Sequence, residues 1–156
     1  CTMPLEMSVE ARETRLDRIE ALRAIADRFG VDALYAFGSR ATEALASLET
    51  RLTFDPAHPS DLDLAVLPAF ARRWSAADRV ALMQALESVF PAPRIDLVVL
   101  PEAEAFLALS AVAGELLYAR DPHREAEYQL YVLRRAGDLA PFERERRAHF
   151  LHTPLR

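Results

Sequence analysis

The stretch that decides the fold is Asp61-Leu62-Asp63-Leu64-Ala65-Val66-Leu67, closed by Pro68. A short apolar run of this kind, stopped by proline, reads as a β-strand. Side chains alternate between the faces of a strand, so Asp61 and Asp63 point one way while Leu62, Leu64 and Val66 point the other. Two carboxylates therefore lie side by side. Burying them unpaired would be expensive, so their face needs solvent or cations. A second run, Arg94-Ile95-Asp96-Leu97-Val98-Val99-Leu100, carries one acid in an apolar strand. If the two strands are neighbours and their N-terminal and middle parts align, Asp96 joins the same cluster. Three carboxylates repel strongly unless a divalent ion is present, and all-oxygen ligands suit Mg²⁺. The plainer alternative is a set of solvent-facing acids at strand ends.

Working outward, Val31 to Phe37 is a short apolar and aromatic strand that ends at Gly38-Ser39-Arg40, where a helix over Arg40 to Leu48 begins. Glycine lets backbone N–H groups approach a phosphate, serine adds a hydroxyl donor, and a helix start supplies partial positive charge. Such a turn can hold a triphosphate tail. Alone it is a weak signal; with a downstream Asp-x-Asp and a third Asp it is much stronger. Apolar residues Leu16, Ile19, Leu22, Ile25, Ala26 and Phe29 recur at helical spacing within Val9 to Phe29, and Gly30 is the stop. Glu49 to Ser60 reads as a loop. Ser75, with Asp78 three residues on, caps a helix to Phe90, which Pro91 and Pro93 end. Pro101 is placed as the first residue of a helix to Ala113, and Gly114 stops it. Glu115 to Ala119 reads as a fourth strand, and the chain from Pro122 as helical with a break near Gly137 to Pro141. The expectation is an α+β fold, a small mixed β-sheet flanked by helices. It divides into a core domain over 1–121 and a C-terminal helical extension over 122–156.

Composition removes whole classes of chemistry. The chain has 156 residues, and all 19 of its basic residues are Arg. Without Lys there is no Walker A loop and no Schiff-base lysine. The one Cys, at position 1, allows no intrachain disulfide, thiolate zinc cage or CxxC pair. A net charge of −5 argues against a general grip on duplex nucleic acid, which needs a basic face that displaces counterions. No run approaches a membrane span and no signal-peptide stretch opens the chain, so the expected setting is the cytoplasm. Cys1-Thr2-Met3-Pro4 is left outside the fold reading.

Three segments in order, Tyr35-Ala36-Phe37-Gly38-Ser39-Arg40-Ala41, Ser60-Asp61-Leu62-Asp63-Leu64-Ala65-Val66 and Ile95-Asp96-Leu97-Val98, resemble the minimal nucleotidyltransferase group of the DNA polymerase beta superfamily. Ala113-Gly114-Glu115-Leu116-Leu117-Tyr118-Ala119-Arg120-Asp121 is similar to the strand that follows the last core helix of that group. The resemblance covers residues 10–121 and implies the polymerase-beta-like fold with nucleotidyl transfer by two Mg²⁺ ions from ATP. It assigns Asp61, Asp63 and Asp96 to metal and catalysis, with Asp96 acting as or positioning the base. Gly38 and Ser39 would grip the β and γ phosphates. Arg40 could neutralise triphosphate charge, its plainer reading being an exposed Arg at a helix start. One departure is the 21 residues between Ser39 and Asp61, longer than the usual linker, with the surplus in Leu48 to Pro59.

Small stand-alone members of the group resemble antitoxins that transfer AMP to a tyrosine of a HEPN ribonuclease toxin, and the short chain favours that reading. The tail from Pro122 would then help contact the toxin or a second copy of the chain, giving a homo-oligomer. Alternatives are an aminoglycoside-type small-molecule nucleotidyltransferase, and a non-catalytic antitoxin that acts by contact. The histidines invite a bland reading: His149 and His152, three apart, could put two ligands on one helix face, but they lie at a chain end without a nearby Cys or carboxylate motif, while His58 in the loop and His123 near a helix start are expected to be solvated. Trp74, Tyr128, Tyr131, Phe142 and Phe150 fit helix packing. Arg134, Arg135, Arg144, Arg146 and Arg147 alternate with acids, as on a solvated helix face.

Overall fold

The computed structural model describes residues 4–49, 54–55, 57–90 and 92–151, with side chains described from 17 to 148 within those limits. Segment 50–53 and position 56 of the expected loop, Pro91, the side chain of Leu16, and the His149, Phe150 and His152 side chains lie outside the described residues. Five helices and four strands follow in order: α1 (Pro4–Phe29), β1 (Val31–Phe37), α2 (Ala41–Glu49), β2 (Leu62–Pro68), α3 (Ala76–Val89), β3 (Ile95–Val99), α4 (Ala105–Val112), β4 (Glu115–Ala119) and α5 (Pro122–Leu151). Among the described residues no helix is long and apolar enough to cross a membrane.

The four strands form one mixed sheet in the order β3-β2-β1-β4. β1 pairs antiparallel with β2 and with β4, whereas β2 and β3 run parallel, with α3 as the crossover between them. Alternation along the strands gives two apolar faces. Leu34 and Ala36 of β1, Leu62, Leu64 and Val66 of β2, and Ile95 of β3 pack beneath α1, α2 and α3, whose buried residues include Leu22, Ala26, Ala44, Leu82 and Leu86. Ala33, Tyr35 and Ala65 face the other way, against Ala108 and Ala111 of α4 and Val132 of α5. Trp74 is buried as expected, its indole Nε1–H donating to the Phe29 carbonyl at 2.9 Å. Ser75 and Asp78 form the anticipated reciprocal cap on α3.

Several boundaries differ from the sequence reading by a residue or more, among them the start of α1 at Pro4, not Val9, and the end of β2 at Pro68 itself; three further differences bear on the site and the tail. Pro101 starts only a 3₁₀ turn, Leu100–Glu102, because Ala103 is extended (φ −73°, ψ 148°) and α4 begins afresh at Ala105. Gly38–Arg40 is also a 3₁₀ turn, so α2 begins one residue later than expected. α5 runs unbroken through Gly137 and Pro141. Proline removes the N–H that would reach the carbonyl four residues back and crowds that carbonyl. Here that carbonyl belongs to Gly137, which is exposed, so the group left without its helical bond lies at the surface of α5. The tail aromatics divide: Tyr128 packs on the second core, but Tyr131 and Phe142 are exposed, contrary to the expected packing.

Candidate active site

The parallel pairing of β2 and β3 puts Asp63 opposite Asp96, and the antiparallel pairing of β1 and β2 puts Phe37 opposite Asp63. Gly38 therefore emerges beside Asp63. Its φ of +73° is a left-handed conformation that glycine adopts without strain, and a Cβ there would lie 2.6 Å from Asp63 Oδ2. Backbone and carboxylate thus make closest approach where only glycine fits. Gly38 and Ser39 are exposed at the mouth of this corner. Gly114 supports it from behind, where a Cβ would meet the Ala36 carbonyl at 2.3 Å. Beyond stopping α4, this glycine lets β4 close up against the end of β1.

Asp61, Asp63 and Asp96 share one sheet face, grading from half-buried Asp63 to Asp61 and Asp96, whose side chains are 38% and 53% exposed. Burial raises the pKa of Asp63, and repulsion from Asp96 and then Asp61 raises it further. Concentrated negative charge of this kind attracts cations. The donor set, all oxygen and on adjacent strand positions, fits Mg²⁺. Among the described residues, however, no three His, Cys, Asp or Glu side chains converge as a preformed ion cage. A cation that sequence reading passed over stands there instead. The Arg94 Nε lies 3.7 Å from Asp61 Oδ2 and 3.7 Å from Asp96 Oδ1. Arg94 sits two residues before Asp96, so alternation alone puts both on one face; its closeness to Asp61 needs the strand register.

Arg40 departs from both sequence readings. It is neither exposed nor free for phosphate: the residue is 1% exposed and its guanidinium faces into the protein. Nε and Nη2 donate to the two Glu43 carboxylate oxygens at 2.7 and 2.9 Å, Nη1 to the Ser60 carbonyl and Nη2 also to the Asp55 carbonyl. The cation stacks on Phe54, 4.9 Å from the ring centroid. Arg40 thus pins the segment that leads into Asp61 to the start of α2. His58 belongs to this segment: it is half-buried, not solvated, and its Nδ1 accepts from the Ser60 N–H. His123 is exposed near Glu127, as expected.

A deep concavity lies away from the acids. A groove of about 900 Å³ opens at the opposite end of the strands, between the 67–74 segment, the Leu100–Glu102 turn and the first turns of α5. The Gly-Ser turn and the acid row lie together at the other end of the strands, away from this groove. Residues 20–123 match the family described as polymerase beta, nucleotidyltransferase. The chain belongs to that family. This nucleotidyltransferase spans the sheet with all six residues that the sequence singled out. No curated protein matches the chain. Among solved structures, a toxin–antitoxin structure with AMP-PNP superposes with a TM-score of 0.62 at 20% identity, over 86% of this chain and 98% of that one. A MntA–HepT toxin–antitoxin structure gives 0.59 at 19%, over 87% and 97%. A complex of a tri-AMPylated Shewanella oneidensis HEPN toxin with MNT antitoxin gives 0.55 at 21%, over 87% and 95%. These likenesses show a shared polymerase-beta-like fold.

Proposed function

We propose that the chain is an Mg²⁺-dependent nucleotidyltransferase of the antitoxin type, moving AMP from ATP onto a tyrosine hydroxyl of a HEPN ribonuclease toxin. The observation that carries the reading is the approach of Gly38 to Asp63 in register with Asp96, which brings a phosphate turn and a carboxylate row to one corner. The fold neighbours add weight, since one is a complex containing an AMPylated HEPN toxin and another is a toxin–antitoxin with AMP-PNP.

In this reading Gly38 and Ser39 hold the β and γ phosphates through backbone N–H groups and the serine hydroxyl. Asp61, Asp63 and Asp96 would hold divalent ions. Ions bound there supply charge neutralisation and Lewis-acid polarisation at the phosphoryl group. Asp96, half-exposed at the start of β3, accepts or positions the acceptor's proton. A bond forms between the tyrosine oxygen and the α-phosphorus, the bond from that phosphorus to the bridging oxygen breaks, and pyrophosphate leaves.

The test is incubation with ATP labelled at the α-phosphate, Mg²⁺ and a HEPN-family protein encoded beside this chain. Label is expected on a tyrosine of that protein and is expected to vanish with the Asp61→Ala, Asp63→Ala pair while circular dichroism stays unchanged. Label on an aminoglycoside instead would overturn the protein acceptor. Toxin neutralisation that survives the double substitution undiminished would replace catalysis by contact.

A further inference from the structure

β3 begins one residue after Arg94, and the Leu62 N–H donates to the Arg94 carbonyl at 2.9 Å, one step before the Leu62–Ile95 pair. That bond fixes Arg94 opposite Asp61, as Asp96 stands opposite Asp63. Four charged residues thus occupy neighbouring positions on one face, three carboxylates and one guanidinium. Among the described residues Arg94 is the cation that faces the acids, since Arg40 is turned inward onto Glu43. Its hold is loose: one nitrogen is shared between two carboxylates at 3.7 Å, and the side chain is 70% exposed. An exposed pair of this length contributes little stability and is easily exchanged.

From this arrangement we infer that Arg94 is a built-in counter-ion of the acid row, which competes with divalent metal and yields its place when a triphosphate arrives. The inference rests on the metal reading of Asp61, Asp63 and Asp96 given above. With the nucleotide absent, the guanidinium offsets part of the carboxylate repulsion and weakens the attraction for a bare ion. An incoming triphosphate offers a second anion within reach of a side chain free to swing, and guanidinium matches phosphate oxygens well. Ion and nucleotide then load together, and little metal occupies the empty enzyme.

The probe is Mn²⁺ alone, titrated into the full-length chain and followed by the electron paramagnetic resonance signal of free Mn²⁺, without reference to turnover. Arg94→Gln is expected to tighten Mn²⁺ binding about three- to tenfold, as loss of a weak competing ion pair allows. Arg94→Ala serves as a second variant should Gln find a new partner, and circular dichroism confirms folding of both. With AMP-PNP present the gap between wild type and variant is expected to close. Equal or weaker Mn²⁺ binding by both variants, with wild-type binding that Asp63→Asn abolishes, overturns the counter-ion role alone. Failure of every protein to bind Mn²⁺ overturns the metal reading as well, and a gap that AMP-PNP leaves unchanged overturns the coupling to nucleotide.

Discussion

Gly38 meets two constraints at once, a left-handed backbone and a neighbouring carboxylate oxygen where its Cβ would be. Gly38→Ala is expected to cost about 1–2 kcal/mol from the backbone alone. It is also expected to displace Asp63, so nucleotidyl transfer should fall at least about a hundredfold, as misplacement by about 1 Å does; urea melts and transfer assays read the two effects separately. Arg40 is the second residue on which much rests. Removing it leaves Glu43 without its guanidinium and opens space beside Phe54, so Arg40→Ala should cost about 3 kcal/mol. Arg40→Lys should recover little, because an ammonium cannot reproduce the two-pronged contact and the stacking together. The Arg40 hydrogen bond, the largest effect, holds the Glu43 pKa below its ordinary value. Its stabilising contribution is then present above the ordinary carboxylate value and lost as pH falls through the lower, folded-state value. A melting-temperature series below pH 5 should show this loss, and Glu43→Gln should flatten it.

At the scale of elements, the Asp-x-Asp strand, the glycine turn and the cap on α3 were legible because each is governed by neighbours a few residues away. Arg40 and Arg94 were not. Glu43 is visible at helical spacing from Arg40, but burial of the pair requires Phe54, Asp55 and Ser60 to fold over it, and no local pattern encodes that. Arg94 becomes meaningful only once the β2–β3 register is known. α5 misled for a different reason: Gly137 and Pro141 each read as helix breakers, yet the helix runs through both, and the carbonyl that the proline leaves without a helical partner is that of exposed Gly137. Gly137 sits in an exposed helix interior with open space around it. Gly137→Ala should therefore stabilise the protein by about 0.5–1 kcal/mol, from helix propensity, with transfer activity unchanged.

Across the whole molecule, α5 is joined to the sheet by a polar contact inside an apolar layer. Buried Tyr35 donates its hydroxyl to Glu125, which also accepts from Gln129. Burial, and then the Glu125 contact, raise the Tyr35 pKa, keeping the phenol in the donor form. Glu125→Ala should cost about 1–3 kcal/mol because it leaves that donor unmet, whereas Tyr35→Phe combined with Glu125→Leu should cost less than the two single changes summed. Chemical denaturation of the four proteins supplies the cycle. The β2–α3–β3 crossover carries a further meaning, for the order of events during folding. Asp61 and Asp63 are neighbours in any extended chain, but Asp96 meets them only once β3 lies alongside β2. An emerging or unfolded polypeptide therefore lacks the third acid at this corner, and on the proposed metal reading a cation that needs all three would act on the finished sheet, tightening it by mass action without guiding its assembly.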